Sequence, residues 1–100
     1  MSVITKVAKV SDIPAGTGKT VDVGGEKVAV FNVAGTFYAI SNTCAHRGGP
    51  LGEGDLDGNT VTCPWHGWSY DVKTGAAAHQ AASVKTYSVK VEGDDVLVGA

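Results

Sequence analysis

Thr20-Val21-Asp22-Val23-Gly24-Gly25-Glu26-Lys27-Val28-Ala29-Val30-Phe31 decides the architecture. Two runs rich in β-branched residues flank Gly24-Gly25, a pair that tolerates the positive φ of a two-residue hairpin turn. Outward from this hairpin the same grammar repeats. Residues 6–10 form a short mixed run, 36–40 follow the turn at Ala34-Gly35, and 60–62 follow Asp57-Gly58. Residues 69–72 stop short of Gly75, and 95–98 follow Glu92-Gly93-Asp94. Residues 84–91 alternate, with Lys85, Tyr87, Val89 and Val91 on one side and Val84, Thr86, Ser88 and Lys90 on the other. The chain carries 15 valines and 9 threonines against 3 isoleucines and 3 leucines. Such side chains are stiff at χ1 and suit a pleated surface. No window of helical length shows a 3.6-residue apolar period; residues 76–82 are expected to make a single helical turn at most. The fold class expected is all-β, with antiparallel strands.

One hundred residues are one domain's worth of chain, so 1–100 is read as a single unit. Lys plus Arg number 8 against 10 acidic residues, with no run of like charge. That excludes a nucleic-acid surface and a polybasic membrane patch. Apolar runs long enough to span a bilayer are absent, and residues 1–10 lack the h-region of a signal peptide. The expected location is the cytoplasm. There, two cysteines, Cys44 and Cys63, point to a metal or catalytic role more than to a disulfide.

The segment 42–75 departs from its flanks. It holds seven of the 14 glycines, both cysteines and both tryptophans, and valine thins out there. It reads as a loop-rich insertion on a β scaffold. Two motifs mislead. Gly16-Thr17-Gly18-Lys19-Thr20 looks like the end of a phosphate-binding P-loop, but the required upstream glycine is Ile13 and a strand follows in place of a helix. Asp55-Leu56-Asp57-Gly58-Asn59 hints at a calcium loop, but its glycine comes too early and the closing Glu is missing. A hairpin turn is the better reading there.

Cys44-Ala45-His46 and Cys63-Pro64-Trp65-His66 carry the chemistry. Sixteen residues, 47 through 62, separate the two halves. Each half offers one thiolate and one imidazole, a donor set suited to iron, zinc or copper. A tetrahedral zinc site uses the same donors, although its usual order is two cysteines followed by two histidines. A Cys44–Cys63 disulfide would leave His46 and His66 without purpose.

The two stretches Asn42-Thr43-Cys44-Ala45-His46-Arg47-Gly48-Gly49-Pro50-Leu51 and Cys63-Pro64-Trp65-His66-Gly67-Trp68-Ser69-Tyr70-Asp71 resemble the cluster loops of Rieske iron–sulfur proteins. The resemblance is closest to small Rieske ferredoxins and to the small subunit of nitrite reductases, and it covers nearly the whole chain. It implies a Rieske fold: an antiparallel base with a loop-rich cluster-binding subdomain over about 41–82. It implies one [2Fe–2S] cluster, with Cys44 and Cys63 on one iron and His46 and His66 on the other. The implied function is one-electron carriage from a flavin-dependent reductase to a terminal oxygenase or other redox enzyme. The chain is then no enzyme by itself, and a monomer when isolated. The alternative is an electron-transfer subunit of a nitrite-reductase-like complex.

Further expectations rest on the same resemblance. Gly48, Gly49 and Gly67 let the backbone pass close to the sulfurs. Pro64, Trp65 and Leu51 frame the outer nitrogens of His46 and His66 as an apolar docking face, while Trp68 is either part of that face or core. Arg47 serves the loop, a partner or only solvent, and His79 matches no ligand position. In membrane-complex relatives a disulfide clamps the two loops; its positions here are Gly49 and Trp65. A proline-rich third loop is replaced by the Ala-rich 75–83, which leaves the rigidity of the cover open. High-potential relatives also carry a Ser hydroxyl where Trp68 stands, and a Tyr that is retained as Tyr70. Two ferric irons, two sulfides and two thiolates sum to zero, so reduction takes the core only to −1. A potential above that of all-cysteine clusters follows. With one hydroxyl donor and the disulfide gone, it is expected in the lower half of the Rieske range of about −150 to +300 mV, and nearly independent of pH around neutrality.

Overall fold

The computed structural model describes residues 4–44, 49–65, 67–78 and 82–99. Among the described residues nine strands run in the order β1 Ile4–Lys9, β2 Thr17–Val23, β3 Glu26–Val33, β4 Thr36–Ser41, β5 Asp55–Asp57, β6 Thr60–Thr62, β7 Ser69–Asp71, β8 Thr86–Glu92 and β9 Asp95–Gly99. They form a six-stranded sheet, β1-β9-β8-β4-β3-β2, and a three-stranded sheet, β5-β6-β7. Every pairing is antiparallel.

The opening hairpin is β2–β3, in register from Thr17↔Asn32 to Val23↔Glu26. Gly24 and Gly25 turn it with φ of 57° and 88°, the double positive φ of a type I′ turn. The P-loop-like stretch is accordingly a turn at Gly16 leading into β2. Asp55-Leu56-Asp57 is a strand before its turn at Gly58, where the sequence suggested turn alone. Two single turns of 3₁₀ helix, Val10–Asp12 and Leu51–Glu53, have no periodic signal long enough to show. The helical turn expected over 76–82 does not form in its described part. Ala76 bridges Ser83 and Ala77 bridges Tyr70, because these backbone groups pair with neighbouring extended segments. Residues 79–81, including His79, lie outside the described residues.

Period-two alternation divides the interior. On β3, Val28 and Val30 enter one core with Val21, Val23, Phe37, Val96 and Val98. Ala29 and Phe31 face the other way, into a second core with Ile40, Leu51, Val61, Tyr70, Val72 and both cysteines. β3 is thus a shared wall buried on both faces, with the base behind it and the loop-rich half in front. Tyr87 and Val89 pack against the first core, as the alternation of 84–91 predicts, while Val91 at the strand end is 44% exposed.

Candidate metal centre

The first loop leaves the end of β4 and returns through the 3₁₀ turn at Leu51. Leu51 N–H donates to the Asn42 carbonyl at 2.8 Å, Thr43 bridges Pro50, and Cys44 N–H donates to the Gly49 carbonyl at 2.9 Å. These pairings close a narrow neck behind Cys44. The second loop is the tip of the β6–β7 hairpin. Thr62 pairs with Ser69, Cys63 N–H donates to the Trp68 carbonyl at 2.7 Å, and Gly67 N–H donates to the Cys63 carbonyl at 3.2 Å. Gly67 makes this turn with φ of 77°. A Cβ there would meet no protein atom within 4 Å, so the turn needs a glycine for its backbone conformation.

Cys44 and Cys63 are 3% and 2% exposed and are not joined in a disulfide. The Tyr70 hydroxyl lies 3.2 Å from Cys44 Sγ. Gly49 lies against the other sulfur: a Cβ there would stand 2.6 Å from Cys63 Sγ and 3.2 Å from the Trp65 ring. The two loops therefore touch across Gly49, one of the three glycines expected to pass close to the sulfurs. The positions that relatives with a disulfide would bridge are here a backbone and an indole in contact. His46, Arg47, Gly48 and His66 lie outside the described residues.

Around the sulfurs, Trp65 is 58% exposed, whereas Trp68 is half-buried against the second core. Leu51, expected on the docking face, is fully buried in that core; an aliphatic side chain in the returning limb of the loop gains more from packing under it. The third segment needs no proline to be fastened. Ala78 N–H donates to the Ser69 carbonyl at 2.8 Å, Val84 N–H to Gly75 at 2.8 Å, and Asp71 N–H to Ala76 at 2.9 Å. Gly75 has φ of 76°, and a Cβ on it would run into the Val84 carbonyl. Sequence inspection had no signal for this ladder, because backbone pairing of an Ala-rich stretch leaves no residue pattern.

Among the described residues, the all-β domain buries both cysteine sulfurs in one core, on two loops that touch at Gly49, and thiolates so placed are donors suited to a metal centre. Comparison with known proteins names the kind. The family model described as a Rieske [2Fe-2S] domain matches residues 3–96, and the chain belongs to that family. The ferredoxin component of biphenyl 2,3-dioxygenase from Rhodococcus jostii is 39% identical over 97 residues, covering 95% of this chain and 91% of that one. A chain in the complex of reduced oxygenase and oxidized ferredoxin of carbazole 1,9a-dioxygenase superposes with a TM-score of 0.89 at 36% identity, covering 96% of this chain and 92% of its own. A nitrite reductase small subunit from Mycobacterium tuberculosis superposes with a TM-score of 0.92 at 21% identity, over 100% of this chain and 96% of that one, a likeness of fold alone. The protein is a Rieske ferredoxin carrying one [2Fe–2S] cluster, an electron carrier and not itself an enzyme. No helix among the described residues is long and apolar enough to cross a membrane.

Proposed function

We propose that Cys44 and Cys63 hold one iron of the cluster and His46 and His66 the other, and that the protein carries single electrons from a flavin-dependent reductase to the terminal oxygenase of an aromatic-ring dioxygenase system. The pair of buried sulfurs on two loops packed at Gly49 carries the ligand reading. The donor set fits the group: two thiols outside any disulfide, an O–H aimed at one sulfur, and a glycine leaving room at the other. A ligating cysteine is a thiolate, which accepts, so the Tyr70 hydroxyl is the donor. When bound, the cluster supplies a one-electron couple; the chain's own groups set its position and shield it. Buried sulfurs and the half-buried Trp68 keep water from the cysteine side.

Trp65 supports the partner reading. It is one of three large apolar side chains exposed among the described residues, and it adjoins His66 in sequence, while Ile4 and Val91 lie far along the chain. Aromatic side chains at the centre of an interface bury large area with little entropy loss. The relatives at 36% and 39% identity are ferredoxins of dioxygenases, whereas the nitrite reductase likeness is one of fold. Residues 1–100 act as a single cytoplasmic domain, monomeric when isolated, with the cluster-binding half over about 41–82. A radius of gyration of 12.3 Å, near the roughly 13 Å of one compact unit of this length, supports the single domain.

Two measurements test the proposal. The purified protein should contain two irons and two acid-labile sulfides per chain, as one such cluster requires. In stopped-flow mixing with a dioxygenase ferredoxin reductase, Trp65→Glu should slow reduction while leaving the visible spectrum unchanged. Unaltered reduction kinetics would move the docking face elsewhere, and stoichiometric zinc would overturn the ligand reading.

A further inference from the structure

We propose that Thr20 is a positioning residue for the first cluster loop. Acting through Asn42 and Gly52, its hydroxyl holds the Cys44 sulfur at the Tyr70 hydroxyl. The proposal rests on the reading of Cys44 as a cluster ligand. It also gives a role to Gly16-Thr17-Gly18-Lys19-Thr20, the stretch that lacks the upstream glycine and the following helix of a phosphate-binding loop.

Thr20 belongs to β2, in the base. Its Oγ1 donates to Asn42 Oδ1 at 3.0 Å, and the same oxygen accepts the Gly52 N–H at 2.7 Å. Asn42 is 8% exposed, one of two buried polar side chains among the described residues. Its backbone is tied as well: its N–H donates to Lys27 at 3.1 Å, and its carbonyl accepts from Leu51 at 2.8 Å. Residues 42 and 52 stand on the two limbs of the loop that carries Cys44. One side-chain oxygen therefore pins both limbs, and Thr20 pins that oxygen to the base. The junction has no slack. A Cβ on Gly52 would run into Thr20 Oγ1 and stand 2.9 Å from Asn42 Oδ1.

Tyr70 is held differently, in the middle of β7, paired with Val61 of β6. The 3.2 Å contact between Cys44 Sγ and the Tyr70 hydroxyl joins two separately suspended pieces. Its length is set by where the first loop is anchored. A hydrogen bond to a ligand sulfur stabilises the reduced, more negative cluster, so a lengthened contact lowers the potential. Partners outside the ligand shell orient ligands in this way.

Protein-film voltammetry on the purified holoprotein tests this with Thr20→Val, Thr20→Ser, Tyr70→Phe and the double variant Thr20→Val/Tyr70→Phe. Thr20→Val keeps the shape and β-propensity of the residue but removes the donor. It should reduce the equilibrium constant for cluster reduction by a factor of about 2 to 5, which is about 18 to 41 mV at 59 mV per tenfold. Thr20→Ser should restore the wild-type value. In the Tyr70→Phe background Thr20→Val should add no further shift, because the contact through which it acts is gone. A wild-type potential in Thr20→Val, an equal displacement in Thr20→Ser, or an undiminished shift in the double variant would each overturn the positioning role. If Thr20→Val assembles no cluster, Thr20→Ala repeats the question: loss in both with retention in Thr20→Ser supports the junction, and loss in all three overturns it. A silent Tyr70→Phe would remove Tyr70 from the redox account and with it the route through which Thr20 acts, whereas a cluster retained in Cys44→Ser would overturn the ligand reading itself.

Discussion

The base and the loop-rich half keep their shapes by different means. In the base, β2, β3 and β4 pair over long registers, seven partners for β2–β3 and six for β3–β4. Their inward valines form a core of aliphatic and aromatic side chains, and the buried Asn32 amide donates to the Ile13 carbonyl at 2.7 Å beside it. In the other half β5, β6 and β7 are three residues each, and the core they cover contains two sulfurs and a phenol. Alternation and hairpin turns suffice for the first. The second depends on a few groups that meet across long stretches of sequence: Cys44 with Tyr70, Gly49 with Cys63, and Asn42 with Thr20. The base should therefore stand without the cluster, and the loop half should not.

The most severe break in this contrast is removal of a sulfur. Cys44→Ser or Cys63→Ser should abolish the cluster, since a hydroxyl is a poor replacement for a ligating thiolate and metal binding is coupled to folding. Hydrogen exchange should then show protection lost over 49–78 but retained in β2, β3 and β9. His79→Ala should leave the visible spectrum intact. Equal loss of protection in both halves would show that the base leans on the cluster too.

A smaller break fills the gap between the loops. Gly49→Ala places a methyl 2.6 Å from Cys63 Sγ, a clash that one of the two loops must yield to. Overpacking at such a site costs about 1–3 kcal/mol, so the cluster should be lost at lower temperature, visible as an earlier bleaching of absorbance. In contrast, Gly24→Ala in the base should leave cluster retention unchanged, because that Cβ meets nothing and only its turn is strained.

Finer still is Tyr70→Phe, which keeps the ring in the second core and removes its hydroxyl from Cys44. Loss of a hydrogen bond worth about 1 kcal/mol more to the reduced cluster than to the oxidised one lowers the potential by about 40 mV at 59 mV per tenfold. Voltammetry reads this directly, and an unchanged midpoint would remove Tyr70 from the redox account.

The least effect belongs to the base. Burial, helped by the charge and hydrogen bond of Glu26, holds the Tyr87 hydroxyl above its usual value of 10.0. The folded protein then keeps a proton that the unfolded chain gives up, so stability is fully present below about pH 10 and falls as pH rises through the folded value. Tyr87→Phe should remove a slight part of that alkaline slope in denaturant titrations above pH 10, with the spectrum untouched. An unchanged slope would mean that the phenol titrates alike in both states.

Much of this protein is written in residue type. Valine alternation and glycine pairs determined the hairpins of the base, since a side-chain period of two and a positive φ are properties of neighbouring residues. Cys44, His46, Cys63 and His66, with the stretches around them, carried the resemblance to Rieske proteins, whereas their donor types alone left iron, zinc and copper open. Tertiary structure decided what depends on residues far apart. Leu51 reads as surface next to the cluster loop and is core, because the limb that carries it folds back under β3. The Ala-rich 75–83 leaves the rigidity of the cover open to a sequence reading, and its described residues are laced to β7 through backbone groups, which every sequence possesses alike. Thr20 reads as part of a failed phosphate motif, and it reaches Asn42, 22 residues on, only because β2 runs beside the returning limb of the first loop. Local sequence dictates what each segment can form; which groups meet depends on how the segments pack, and a hydrogen bond needs its partner within about 3 Å.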